Sequence, residues 1–376
     1  LVLVIAIATA VAHHNAQTLN RGENLAVGKS YTVSSEPNYP HSTDPGDVVQ
    51  LTDGYYSAGR FWTQITTAGW QSVSPVVITI DLGQDYPLQG LSFNTAAGIA
   101  EVHWPSAIYV LVSEDGQVWY EAGELVEMSS RRDPLPPYGS YRVHTLWSDQ
   151  LKTHGRYVTL VIEAEGDYVF VDEIEVFRGA LSEPYPGLPI TDLFDFVTDS
   201  RIRKQHFRDL NAVKADIEAL PKSSQADFAR QAEALAQAVR NMPHVPMDGF
   251  RAVLPMTDLE RDIFRFQAVV WRAQGKPLLR VWQKHRWDPL APSEEPGVSA
   301  PSPVIEVHMM NSEYRADVFN LTNAANDDLV FFLRIVGLPG GDNPAYTQVH
   351  EVLSVGSPHS AAVSAALPEA RLSAQG

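Results

Sequence analysis

The chain has no cysteine, which excludes both a disulfide scaffold and a thiolate metal site. It is also short of positive charge: 28 Lys and Arg stand against 45 Asp and Glu, a net charge of −17. Phosphate contacts need clustered basic side chains, so this balance argues against nucleic acid as a partner. Catalytic signatures are lacking as well. There is no Gly-x-Ser-x-Gly elbow, no His-Glu-x-x-His, no phosphate-binding glycine loop and no dinucleotide fingerprint. His350-Glu351 lacks the second histidine of a zinc helix. A glycosidase needs two carboxylates about 5–10 Å apart, and Asp172, Glu173, Glu294, Glu295, Asp327 and Asp328 show no pattern that pairs them.

Only one long apolar run exists, Leu1 to Val11, and it closes on the small-x-small pattern Thr9-Ala10-Val11-Ala12. It is too short for an ordinary membrane-spanning helix and reads as the core of a signal peptide within residues 1–23. The expectation is a secreted protein, extracellular or periplasmic, with no membrane span. No Met or basic stretch precedes Leu1, so the true start is expected upstream.

Residues 24–178 read as all-β. Val76 to Leu82, Ile108 to Val112 and Tyr157 to Ile162 are short runs rich in β-branched and aromatic residues. Asp53-Gly54, Leu82-Gly83, Asp115-Gly116 and Glu165-Gly166-Asp167 separate them as turns. Five of the eight Trp and eleven of the fourteen Tyr precede residue 180, more aromatic surface than one core of this size requires. Residues 190–288 then read as helical with a terminal extended segment. Leu210, Val213, Ile217 and Leu220 share one face, and Phe228, Ala232, Leu235 and Val239 another. Thr257-Asp258-Leu259-Glu260 has the form of a capping box opening a third helix. A Pro-rich linker spans 289–303. Beyond it Ile305 to Met309, Leu329 to Val336 and Thr347 to Val355 read as strands of a second, partial β-sandwich over 304–376, expected to be truncated.

The resemblance lies in the first of these regions. Asn24-Leu25-Ala26-Val27-Gly28-Lys29, Leu51-Thr52-Asp53-Gly54, Ile78-Thr79-Ile80-Asp81-Leu82-Gly83, Val112-Ser113-Glu114-Asp115-Gly116 and Glu173-Ile174-Glu175-Val176-Phe177 resemble, in order and spacing, the coagulation factor 5/8 type C (discoidin) domains and the related family 32 carbohydrate-binding modules. The likeness covers about 155 residues and implies a galactose-binding-like β-sandwich, or jelly roll. The whole chain is thus expected to be multidomain and mainly β: that module, a helical spacer, then the partial second sandwich. The later regions look like accessory parts of secreted proteins that continue into a glycoside hydrolase-like domain.

The resemblance implies a structural Ca²⁺ held by the carbonyls of Gln50, Tyr55 and Asp172 and the carboxylates of Asp53 and Glu173. Ca²⁺ takes six to eight hard oxygen ligands, which carboxylates and turn carbonyls supply. Two readings stand open: a calcium site, or a plain Asp53-Gly54 turn with Glu173 a solvated strand residue. Tyr55-Tyr56 stand where many relatives carry a further acid or Asn. The resemblance also places ligand binding on loops at one end of the sandwich, here carrying Tyr55, Tyr56, Arg60, His103, Trp104, Arg132 and Tyr138. A sugar site needs a flat aromatic platform beside directed polar donors. Trp62 and Trp70 read as packing residues. Trp104 and His103 are open between packing and contact.

The function implied is a glycan- or polysaccharide-binding module, accessory to a polysaccharide-processing enzyme whose catalytic domain follows in cis. An adhesion module for protein or lipid head groups is the alternative, and a glycosidase site formed between domains is a third. Enzymatic activity of this chain itself stays undecided.

Overall fold

The computed structural model describes residues 22–248, 250, 253–286, 288, 290, 294, 303–331, 333–354, 362–366 and 370–372. The expected signal peptide lies outside the described residues except for residues 22 and 23, as does most of the linker at 289–303. The chain forms two compact units, Leu1–Leu193 and Phe194–Gly376. The expected helical and C-terminal regions fall together in the second.

The first unit holds β1 (Tyr31–Val33), β2 (Ala68–Gln71), β3 (Val76–Ala97), β4 (Ala107–Ser113), β5 (Tyr120–Glu124), a short helix α1 (Leu125–Ser130), β6 (Arg142–Ser148), β7 (Thr153–Glu163), β8 (Tyr168–Val171) and β9 (Glu173–Arg178). Every ladder is antiparallel. β3 organises the unit because its two halves serve different neighbours. Val76 to Asp81 pairs with β1 and β7, whereas Leu91 to Asn94 pairs with both β6 and β9. The register shifts between Asp81 and Tyr86. There Gly83, at φ +90°, turns the strand where a side chain would be strained. Asp81 accepts the Gly83 N–H at 2.7 Å and both guanidinium bonds of Arg156 at 2.8 Å.

Inward residues from both halves of β3, among them Ile78, Ile80, Leu91 and Phe93, share one core with Ile108 and Val110 of β4, Leu160 of β7, Leu146 of β6 and Ile174 and Val176 of β9. This is a β-sandwich: two faces of strands closed over a single apolar filling. Trp70 is fully buried in it and donates Nε1–H to the Ser35 carbonyl at 2.7 Å, the packing role expected from the sequence.

The two ends of the module meet. Asn24 bridges Phe177, and the Leu25 N–H donates to the Val176 carbonyl at 2.7 Å. Asn24 Oδ1 accepts from both Ala26 N (3.0 Å) and Val176 N (3.1 Å).

In the second unit α2 (Leu193–Glu218), α3 (Lys222–Arg240) and α4 (Asp258–Ala273) bury the apolar stripes read from the sequence. Leu210, Val213, Ile217 and Leu220 pack with Ala232, Val239, Ile263, Phe266 and Val270. None of the described helices is long and apolar enough to cross a membrane. The start of α4 departs from the expected capping box in one respect. Thr257 Oγ1 accepts the Glu260 N–H at 3.1 Å, but the Glu260 carboxylate turns to the Met256 N–H instead of that of Thr257.

β10 (Leu279–Trp282) pairs with β11 (Asn320–Asn323), so a ladder joins the two sides of the Pro-rich stretch. β12 (Leu329–Phe331) pairs with β15 (Ala370–Leu372), and β13 (His350–Ser354) with β14 (Ala362–Ala366). These are two-stranded ladders among the described residues. Ile305 to Met309, expected as a strand, forms none, and Ile305, Val307 and Met309 are all exposed. Alternation creates an apolar face, but without a partner ladder that face has nothing to bury against.

Candidate functional site

The loop that leaves Asp53-Gly54 is pinned at both ends. At its start Gly54 adopts φ +82°, and its N–H donates to Glu173 Oε2 at 3.1 Å. Tyr55 N donates to Asp53 Oδ1 at 2.7 Å, closing an Asx turn. Ser57 N donates to Asp172 Oδ2 at 2.6 Å, and Asn94 Nδ2 to Asp172 Oδ1 at 2.8 Å. At its far end the Tyr141 hydroxyl donates to the Gly59 carbonyl at 2.8 Å and accepts from Phe61 N at 3.3 Å. The loop carrying Tyr55, Tyr56 and Arg60 therefore hangs between the acidic pair Asp172-Glu173, where β9 begins, and Tyr141 just before β6.

The acidic end is electrostatically unbalanced. Asp172 and Glu173 are fully buried. Glu173 Oε1 has no hydrogen-bond partner, although buried polar atoms are nearly always paired. Burial, aided by the charges of Asp53, Glu175 and Asp172, pushes the Glu173 carboxyl up to about 8, against the opposing pull of the Gly54 N–H. Burial also raises Asp172. An unpaired buried carboxylate oxygen among further acids is what a hard cation would satisfy. Gln50 is buried on the 3₁₀ turn Gln50–Thr52 that packs on β9. The five residues implied by the resemblance thus lie on the turn, the loop and the strand end that meet here, and their donor set fits Ca²⁺.

At the other end of the loop lies an aromatic rim. Phe61, Ala96, Ala97, Val102 and Phe170 form a small buried cluster, against which Tyr39, Trp62, Trp104, Tyr141 and Tyr168 pack half-buried. Tyr39 meets Phe170 and Tyr168 edge-on at 5.0 and 5.8 Å, and Trp62 meets Tyr141 edge-on at 5.0 Å. Edge-to-face contacts of this kind hold rings in fixed orientations. Gly69 makes the cluster possible: a Cβ there would lie 2.7 Å from both the Phe170 ring and Ser42 Oγ. His103 stacks on Tyr138 at 4.8 Å, nearly parallel, and Tyr138 accepts the Glu101 N–H at 3.2 Å.

The residues expected to bind sugar divide accordingly. Tyr55 is 74% exposed, and Tyr56 and Tyr138 are also exposed. Arg60 lies with Cζ 5.9 Å from the centre of the Tyr141 ring. Trp104, left open by the sequence, packs: its Nε1–H donates to the Pro136 carbonyl at 2.8 Å, and its ring meets His144 edge-on. Arg132 is engaged with Asp149 at 2.7 Å over the Trp147 ring, which directs its guanidinium toward a carboxylate of its own chain. Tyr39, Tyr141 and Tyr168 join the rim as well. Their only sequence signal is that each stands at a strand end or in a turn-rich segment.

No family model matches the chain, and no curated protein matches it. Solved structures do. The chain is similar to a CBM32 module of Clostridium perfringens in complex with GalNAc-beta-1,3-galactose, at 20% identity over 40% of this chain and 96% of that one, with a TM-score of 0.28. It is similar to chitosan-binding module 2 of a chitosanase/glucanase from Paenibacillus sp. IK-5, in complex with chitotriose, at 19% identity over 41% and 99%, with a TM-score of 0.27. A fucose-binding module of Streptococcus pneumoniae is similar at 19% identity over 42% and 96%, with a TM-score of 0.29.

Proposed function

We propose that the first unit is a carbohydrate-binding module of discoidin type, secreted and serving as an accessory part of a polysaccharide-processing enzyme. The observation that carries this reading is the aromatic rim. Half-buried rings held edge-to-face offer C–H-accepting faces beside the polar edges of Arg60 and His103, and the exposed Tyr55 and Tyr56 stand on the adjoining loop. A sugar, with its C–H faces and hydroxyl rim, is recognised by such a surface. Exposed aromatic groups gathered at one place also mark binding surfaces in general.

A structural Ca²⁺ held by Asp53, Glu173 and the carbonyls of Gln50, Tyr55 and Asp172 would neutralise the acidic end and stiffen the loop that bears the tyrosines. Single-site affinity for a sugar is modest, and tethering to a catalytic domain would raise effective concentration at a repetitive substrate. Affinity gel electrophoresis against galactose-, glucuronate- and plant-type polysaccharides tests the reading. Retarded migration is expected on at least one gel. Unretarded migration on all of them, with Ca²⁺ present, would count against a glycan ligand.

A second reading, adhesion to protein or lipid head groups, draws on the exposed Val48, Val49 and Ile65 in neighbouring segments. The net charge of −17 disfavours anionic membranes. Co-sedimentation with zwitterionic vesicles distinguishes it from sugar binding.

A further inference from the structure

The helical unit contains a polar cluster that the sugar-binding reading does not use. His206 and Asp209 stand one turn apart on α2, and Glu260 stands on the first turn of α4. All three are buried, with exposures of 0%, 3% and 0%. One ligand atom from each lies within 4.8 Å of the other two. Two of these atoms, His206 Nδ1 and Glu260 Oε1, have no hydrogen-bond partner.

The remaining atoms of the two side chains are held by their surroundings. His206 Nε2 lies 2.7 Å from Thr257 Oγ1, and Glu260 Oε2 accepts the Met256 N–H. If Nε2 carries the ring proton and donates to Thr257, Nδ1 presents a lone pair to the cluster. A hydrogen-bonded second nitrogen is the usual way a ligating imidazole is oriented. Gln205 Nε2 approaches Asp209 Oδ1 at 3.2 Å, giving that carboxylate a comparable outer partner.

The spacing separates two explanations. His206 Nδ1 and Glu260 Oε1 are 3.5 Å apart, too long for a good hydrogen bond. Two donors on a tetrahedral ion at about 2.1 Å would stand about 3.4 Å apart. Charge leads the same way. Two carboxylates buried beside one another are unfavourable, and Asp209 and Glu260 are both buried here. A divalent ion would offset both charges at once.

We propose that His206 Nδ1, an Asp209 carboxylate oxygen and Glu260 Oε1 bind a divalent transition-metal ion that fastens α2 to the start of α4. One imidazole with two carboxylates suits zinc, manganese or iron better than calcium, which prefers oxygen alone. The site is enclosed by helix packing, so its role is structural; the second oxygen of Asp209 can supply a fourth ligand.

The test uses the full chain, without a histidine tag and purified without chelator, in excess Ca²⁺ so that any calcium site in the first unit is filled. Elemental analysis is expected to find one equivalent of zinc, manganese or iron. Replacing it with Co²⁺ should give the visible d–d bands of a low-symmetry nitrogen- and oxygen-ligated centre. His206→Gln should lose both signals, and chelation should lower the melting temperature of the wild-type chain. If His206→Gln does not fold, the wild-type readings still decide. A folded wild-type chain that retains no transition metal, shows no Co²⁺ bands and melts unchanged with chelator overturns the proposal. In that case the cluster is held by a shared proton.

Discussion

Glu173 accepts the backbone N–H of Gly54 with one carboxylate oxygen at 3.1 Å while its other oxygen, fully buried, has no partner. The two residues are 119 positions apart, so whatever satisfies the second oxygen also fixes the loop to the last strand. If that is Ca²⁺, the melting temperature of the first unit rises with calcium. Saturation at a hundredfold above the dissociation constant would add about 2.7 kcal/mol. Glu173→Gln keeps an acceptor for Gly54 and removes the charge. The variant is expected to be at least as stable as wild type without calcium and indifferent to calcium, which differential scanning calorimetry with and without added calcium measures. A wild-type melting temperature unchanged by calcium would refute the site.

Tyr55 and Tyr141 should separate contact from positioning. Tyr55 is mostly exposed, so Tyr55→Ala is expected to alter stability by no more than about 0.5 kcal/mol while weakening retention on a polysaccharide gel. Tyr141→Phe keeps the ring but removes the hydroxyl that links Gly59 and Phe61. It should cost about 1 kcal/mol and speed hydrogen exchange in the 54–60 loop. Unaltered retention in both variants would exclude this loop from binding.

Legibility followed the range of each interaction. The first part of β3 and most of β4 and β7 could be read from Val76 to Leu82, Ile108 to Val112 and Tyr157 to Ile162 because β-branched and aromatic content is a local property. The three helices could be read from their stripes for the same reason. The aromatic rim could not, because Tyr39, Tyr141 and Tyr168 come from three separate segments and meet only around the buried Phe61 and Phe170. The direction of the Glu260 carboxylate is hidden for a related reason. Its position three residues after Thr257 has the local form of a cap, but its complete burial beside His206 and Asp209 depends on how α4 packs against α2. Ile305 to Met309 shows the converse: a correct local alternation with no ladder to receive it.

His144 gives the first unit a pH dependence of definite sign. Its ring is buried against Trp104, and burial lowers its pKa below 6.5, opposed by Asp133 with Oδ2 4.0 Å away. The unfolded chain therefore binds a proton before the folded one does. The resulting stability is present in full above about pH 6.5 and is lost as pH falls through that value toward the folded pKa. His144→Phe also removes Nε2, which has no partner. In chemical denaturation series the variant should show a shallower loss of stability than wild type between about pH 6.5 and 5. Identical slopes would mean that His144 is not shielded as described.

Closure of the sandwich depends on Asn24 more than its short side chain suggests. Its Oδ1 accepts two backbone N–H groups, one from Ala26 two residues on and one from Val176 on β9. Asn24→Ala would leave both donors without this acceptor. An unsatisfied buried donor costs about 1–3 kcal/mol, and both are only partly buried, so a loss of about 2 kcal/mol is expected. Asn24→Asp retains the acceptor oxygen and should lose much less. The readout is the denaturation midpoint of each variant, with hydrogen exchange at Ala26 and Val176 as the local probe. Equal midpoints for the Ala and Asp variants would show that the ends of the module are held by the Leu25–Val176 backbone bond and the surrounding core, with no contribution from the side chain.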